Sequence, residues 1–316
     1  VSGRVRILIS SCLLGEKVRY DGGHKRDPFL VETLGRFVEY VPVCPEVECG
    51  LPTPREAMRL EGNPARPRLV APGTGADYTE TMKRWTQGKL SELEELDLYG
   101  YICKKDSPSS GMERVKVYGV SAIPARVGAG MFTKAFMEHF PLIPVEEEDR
   151  LQDPALRERF VERMFTLCRF RDAIRRGRSR GTLVEFHTDH KLLLLAHGRP
   201  LYADMGKLAA RAKELPLEEL YRRYLHLLME ALRHRATPAK CADVLLHAAG
   251  YFRQFLSGDE RRELLETIEK YRMHRIPLAI PVALIRHYAR KHDVVYLKRQ
   301  AFLNPHPVEL MLRNHA

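Results

Sequence analysis

The pattern of apolar and polar positions splits the chain in two. In the first half short β-branched runs alternate with helical periodicity, and the second half is helical almost throughout. "VRILISS" (5–11) is an apolar run that ends in the Gly-rich stretch "LLGEKVRYDGGHKRDP", which predicts a buried strand and a loop. "LVETLGRFVEYVPVCPE" predicts a helix over 27–39 and a short strand over 40–43, stopped at Pro45. "YTETMKRWTQGKLSELEELDL" has amphipathic helical spacing. "YGYICKK" reads as a strand ended by "DSPSSG", "RVKVYG" as another strand, and "AGMFTKAFMEHFP" as a helix.

This alternation predicts an α/β domain over 1–150 with a Rossmann-like, mostly parallel sheet. Three loops, 12–27, 44–56 and 106–114, each follow a strand. All three therefore leave the carboxyl edge, where open α/β sheets place their ligands. "PLIPVEEEDR" (141–150) reads as an exit segment, followed by a helix over 154–176. "RRGRSRG" then reads as an exposed basic linker ending near Gly181, so that 151–182 connects the two parts. From 183 to 316 the segments "LVEFHTDHKLLLLAHG", "LYADMGKLAARAKE", "LEELYRRYLHLLMEALRH", "PAKCADVLLHAAGYFRQFL" and "GDERRELLETIEKYRMH" predict an all-helical domain. No internal repeat is visible.

Composition adds location and charge. Hydrophobic residues make up 44% of 316, and no apolar run is long enough to span a bilayer. The chain enters its first strand without an apolar signal core, and six cysteines are too few for a disulfide scaffold, so a cytoplasmic location is expected. The net charge is +11. Residues 1–150 hold 21 Lys and Arg against 22 Asp and Glu, whereas residues 151–316 hold 31 against 19. A near-neutral module thus precedes a basic one suited to a polyanion, or simply to an Arg-rich surface.

The candidate chemistry gathers on the three loops. Cys12, Cys44 and Cys49 come from two of them, with Glu46 two residues beyond Cys44. Thiolates select zinc, copper(I) or iron–sulfur clusters, but the spacing matches neither a zinc knuckle nor a ferredoxin run. From the residues alone, a metal site, buried inert thiols and a redox pair all stay open. "DSPSSG" offers Ser107, Ser109 and Ser110 on a tight turn. "DGGHKR" offers His24, Lys25 and Arg26 beside two glycines that let the backbone approach an anion.

"ISSCLLGEKVRYDGGHKR", "VPVCPEVECGLPTPRE" and "KKDSPSSGMERVKVY" together resemble the thiouracil desulfidase family over about residues 4–150. The remainder, with "LVEFHTDHKLLLLAH" and "PHPVELMLR", resembles the helical domain fused to that module in bacterial tRNA 4-thiouridine desulfidases. The resemblance implies a 4Fe-4S cluster held by three cysteines, with one open iron acting as a Lewis acid, and conversion of 4-thiouridine in tRNA to uridine. By motif it makes Cys12 and Cys44 ligands, Glu46 the acid/base group and Ser107 a second catalytic residue. Substrate contacts are expected from Ser11, His24, Lys25, Arg55, Ser109 and Ser110.

The family's third cysteine ends an S-P-S-C motif, and Ser110 stands there in this chain. Cys103 lies four residues before Ser107, about 13 Å along an extended strand. Cys49 has a loop's freedom to turn inward, so Cys49 is expected as third ligand, Cys103 as the alternate, with Ser110 ranking last. Desulfidation of free thiouracil or thionucleosides, and a non-enzymatic cluster- or zinc-containing RNA-binding protein, are the competing readings.

In the basic half Arg175, Arg176, Arg178, Arg180 and Lys191 are the candidate RNA contacts, with tRNA the expected partner. His187, His190 and His197 are expected to pack rather than ligate, and Tyr221, Tyr224 and Tyr251 to be core. Cys168 and Cys241 are expected to be buried and inert. No membrane contact is expected, and the oligomeric state is not readable.

Overall fold

The computed structural model describes residues 5–119 and 123–314. Along the sequence the chain divides into two compact units between Phe160 and Val161.

In the first unit, β1 (Val5–Ser10) pairs in parallel with β2 (Val38–Val43), from Val5↔Val38 to Ser10↔Val43. After β2 come the one-turn helix α1 (Pro45–Glu48), the short strands β3 (Arg59–Glu61) and β4 (Arg68–Val70), and α2 (Thr79–Glu94). β5 (Leu98–Cys103) returns to the other side of β1, again in parallel. β6 (Val115–Tyr118), β7 (Ala125–Gly128) and α3 (Met131–His139) follow. β8 (Val145–Glu147) then completes the all-parallel sheet β2-β1-β5-β8.

Every residue of β5 is buried, as expected for a strand covered on both faces. On one face Leu8, Val43 and Tyr101 pack with Leu90 and Leu93 of α2 and with Phe132 and Phe136 of α3. On β5, a Cβ at Gly100 would come within 3.0 Å of the Phe160 ring, so only glycine allows this close approach.

Two features differ from the sequence expectation. β3, β4, β6 and β7 build a second, mixed sheet, β4-β3-β6-β7, so the predicted strand "RVKVYG" belongs to it and not to the parallel sheet. β3, "RLE", and β4, "RLV", are three-residue strands with charged positions, too short to show a period. The helix predicted over 27–39 is only a π-turn (Phe29–Thr33) and a 3₁₀ turn (Leu34–Arg36). Val38 must already be extended to pair with Val5, which cuts the helix short.

The second unit is helical. α4 (Pro154–Arg176) carries the division point, and α5 (Arg180–Asp189), α6 (Lys191–His197), α7 (Arg199–Ala210), α8 (Leu217–Ala231), α9 (Pro238–Ala249), α10 (Gly258–Arg272), α11 (Ala279–Lys291) and α12 (Val295–Arg299) follow. The linker expected through Gly181 shrinks to 177–179, because Ser179 caps α5 by accepting from the Thr182 N–H. Tyr221 and Tyr224 are core, but Tyr251 is exposed and stacks on Tyr296 at 4.9 Å. Cys168 and Cys241 are buried.

The interior of this unit holds a charged group. His197 Nδ1 lies 2.6 Å from His234 O, and its Nε2 lies 2.6 Å from Glu162 Oε1. Arg313 donates to the other Glu162 oxygen at 3.3 Å. Burial alone would raise the Glu162 carboxyl, but His197 and then Arg313 outweigh it and hold the group at about 2. Among the described residues no helix is long and apolar enough to cross a membrane.

Candidate active site

The chain leaves β1 toward β2 on one side, and leaves β5 toward β8 on the other. Loops departing in opposite directions open a crevice at the carboxyl ends of the strands. The structure has there a cleft of about 340 Å³. The loop after β1 contributes Cys12, Arg19 and Lys25. The loop after β2 contributes Cys44, Glu46 and Arg55, and the loop after β5 contributes Lys104, Ser107, Ser109 and Ser110.

The first loop is folded back on itself. Lys25 N donates to Cys12 O (2.9 Å) and Asp27 N to Leu13 O (2.9 Å), which returns Lys25 to the cleft. Burial pushes the Cys12 thiol up to about 11, against the lowering influence of Lys104 and Arg19 and with the raising influence of Cys44. Burial also raises Cys44, whose Sγ faces Val18 O at 3.8 Å. The two thiols thus sense each other's charge with cations beside them.

Pro45 opens the single turn that carries Glu46. Arg55 grips Glu46 Oε2 through Nε (2.9 Å) and Nη2, and the pair is largely buried, with side chains 6% and 13% exposed. The same guanidinium donates to Val18 O (3.1 Å) and Pro52 O (3.2 Å), which ties the first loop to the second. Arg55, expected as a substrate contact, lines the cleft with its donors on Glu46 and the loop carbonyls.

On the third loop Ser107 Oγ accepts from Ser109 N (3.3 Å) and Ser110 N (3.1 Å), closing a side-chain turn. Ser109 Oγ lies 3.0 Å from Ser107 Oγ and donates to Glu46 Oε1 at 2.8 Å. Glu46, Ser109 and Ser107 therefore form one line of hydrogen bonds. The loop is pinned from behind: a Cβ on Gly130 would lie 2.5 Å from Ser109 C and Ser110 N, a contact only glycine avoids.

Several expected residues lie elsewhere. Cys49 is off the cleft wall: its Sγ donates to Glu46 O (3.2 Å) and it packs against the Leu60, Met82 and Val115 cluster. Cys103 is wholly buried within β5, with Sγ on Glu146 O at 3.5 Å, so neither thiol reaches the cleft. His24 is exposed and accepts from Arg26 N through Nδ1 (3.2 Å), also outside the cleft, whereas Ser11 lines it.

Sequence reasoning missed Lys104 and Arg19. The lysine pair at the end of "YGYICKK", beside the serine turn, was the available signal for the first, and nothing marked the second. In the helical unit Arg175 pairs with Asp172 (3.1 Å) and Arg176 donates to Asp172 O (3.4 Å). Arg178 pairs with Glu218 (2.6 Å), and Arg180 donates to Ala212 O (2.7 Å) and Leu215 O (3.0 Å), so much of this basic run fastens helix ends. Lys191 opens α6. His190 and His197 are buried, and His187 meets Tyr224 Oη at 3.0 Å.

Among the described residues no group of three or more Cys, His, Asp and Glu side chains forms a metal site. Cys12 and Cys44, two soft donors flanked by Lys104 and Arg19, still fit an anionic iron–sulfur group at two of its corners.

Residues 7–148 match the family model described as 2-thiouracil desulfurase, and residues 191–307 match one described as a protein of unknown function, DUF1722. The uncharacterized protein YbgA of Escherichia coli (strain K12) is 31% identical over 153 residues, 48% of this chain and 90% of its own length. The uncharacterized protein YbbK of Bacillus subtilis (strain 168) is 32% identical over 113 residues, 33% of this chain and 72% of its own length. A solved structure titled [4Fe-4S]-dependent thiouracil desulfidase TudS is 30% identical, with a TM-score of 0.40, over 48% of this chain and 95% of its own. Residues 7–148 of the chain thus belong to the 2-thiouracil desulfurase family.

Proposed function

We propose that the cleft is the centre of a tRNA 4-thiouridine desulfidase, which replaces the base's sulfur by a water oxygen without net redox change. The observation that carries this reading is the convergence of Cys12 and Cys44 with the Glu46–Ser109–Ser107 line in one cleft. The thiolates of Cys12 and Cys44 hold a 4Fe-4S cluster, and Lys104 and Arg19 offset their charge. When bound, such a cluster with an open iron supplies a thiophilic Lewis acid for the thiocarbonyl sulfur. Glu46, fixed by Arg55, takes the proton of the attacking water, and Ser109 and Ser107 hand protons along the cleft. The C–S bond breaks as the C–O bond forms, and the two water protons leave with the sulfur as hydrogen sulfide.

The basic balance of residues 151–316 supports a polyanionic substrate, and a base held within RNA must be unstacked to enter the cleft. A second reading, desulfidation of free thiouracil or thionucleosides, has its own support: every cleft residue lies between Ser10 and Ser110, so the cleft is built without the helical unit. Anaerobic incubation with 4-thiouridine-containing tRNA and, in parallel, with free 4-thiouracil separates the two. Faster turnover of the tRNA supports the first reading, and turnover of the free base alone supports the second.

A further inference from the structure

We propose that Ser110 is the third protein ligand of this chain's cluster, making the donor set two thiolates and one serine oxygen. The inference rests on the iron–sulfur reading of the cleft. It follows from the serine and cysteine side chains that the three loops bring to the cleft.

Among the described residues no third thiol lines the cleft: Cys49 Sγ turns to Glu46 O and Cys103 Sγ to Glu146 O. Glu46 has one oxygen on Arg55 and the other on Ser109. Ser107 Oγ takes two N–H groups, Ser109 Oγ serves Glu46, and Ser10 Oγ accepts from Lys104 N at 3.0 Å. Ser11 adjoins Cys12 in one 3₁₀ turn, where successive side chains point about 120° apart.

Ser110 remains. It is buried at the cleft wall with its backbone fixed at both ends: its N–H reaches Ser107 Oγ (3.1 Å), and its carbonyl accepts from Thr133 Oγ1 (2.6 Å). Its hydroxyl lies beside that of buried Tyr101. Each of the three loops then supplies one donor: Cys12, Cys44 and Ser110. On binding, the Ser110 O–H bond breaks, the proton goes to solvent, the oxygen lone pair forms the Fe–O bond, and no electron is transferred.

Wild type, S110A and S110C are reconstituted without air and compared by iron and acid-labile sulfide content, Mössbauer spectrum and circular dichroism. The expected result is a loaded wild type, at least about tenfold weaker retention in S110A, and a loaded S110C with an altered spectrum at one iron site, all three folded alike. A loaded S110A with the wild-type spectrum overturns Ser110 ligation and leaves the cluster reading intact. An empty wild type beside a loaded S110C also overturns it. If wild type and S110C are both empty, the cluster reading falls, and this inference with it.

Discussion

Ser109 Oγ donates to Glu46 Oε1 at 2.8 Å, a bond that joins two loops 63 residues apart and puts the family's serine turn in contact with its carboxylate. Removing either end separates proton handling from cluster binding. E46Q should lower sulfide release from thiolated substrate by about 10²–10⁴-fold, the usual worth of a general acid–base group. S109A should have a smaller effect, and both should keep the wild-type iron content. Loss of iron in E46Q would assign the carboxylate to cluster binding instead.

Arg55 holds Glu46 inside a largely buried ion pair and ties together two of the three loops. R55M leaves a buried carboxylate without its counter-charge, which costs roughly 3–5 kcal/mol in such settings. Urea unfolding followed by tryptophan fluorescence reads the first unit, because Trp85, the one tryptophan, packs on its core beside Phe132. A midpoint equal to that of wild type would show that the clamp is not structural.

Glu162 titrates at about 2 in the folded chain, against an ordinary 4.5. A depressed folded value stabilises above the unfolded value and loses that contribution as pH falls. The helical unit should therefore weaken progressively between about pH 4.5 and pH 2. E162Q should be less stable than wild type at pH 7 and show a flatter decline in this window, measured by calorimetry across pH. Equal slopes for both proteins would remove Glu162 as the source.

Phosphate contacts make binding salt-dependent, with a slope in log–log form of about −0.7 to −0.9 per phosphate neutralised. KM for tRNA should rise steeply between low and physiological salt, while turnover of free 4-thiouracil stays nearly flat. Among the candidate contacts, K191A should reduce the tRNA slope more than R180A, because Arg180 is spent on two carbonyls. Equal salt slopes for tRNA and free base would count against RNA contact by the helical unit.

The parallel sheet and its three cleft-lining loops were legible because β1 and β5 are mostly apolar runs ended by Gly- and Ser-rich turns. The second sheet was not, since "RLE" and "RLV" carry too few residues to reveal a period. Cys12, Cys44 and Glu46 could be named from motif and loop position. The fate of Cys49 could not, because it depends on a core assembled from distant strands. The inward use of Arg55 is equally invisible in sequence: its partners at Val18 and Glu46 lie 37 and 9 residues away. Likewise, a chain of letters cannot show that Arg180 caps carbonyls instead of facing solvent.

The most direct measurement is the ratio of uridine formed to sulfide released when anaerobically prepared, cluster-loaded protein acts on 4-thiouridine-containing tRNA, with C12A alongside. The account predicts equal amounts of the two products from wild type, and neither cluster nor product from C12A. Unchanged 4-thiouridine in the presence of fully loaded wild-type protein would contradict it.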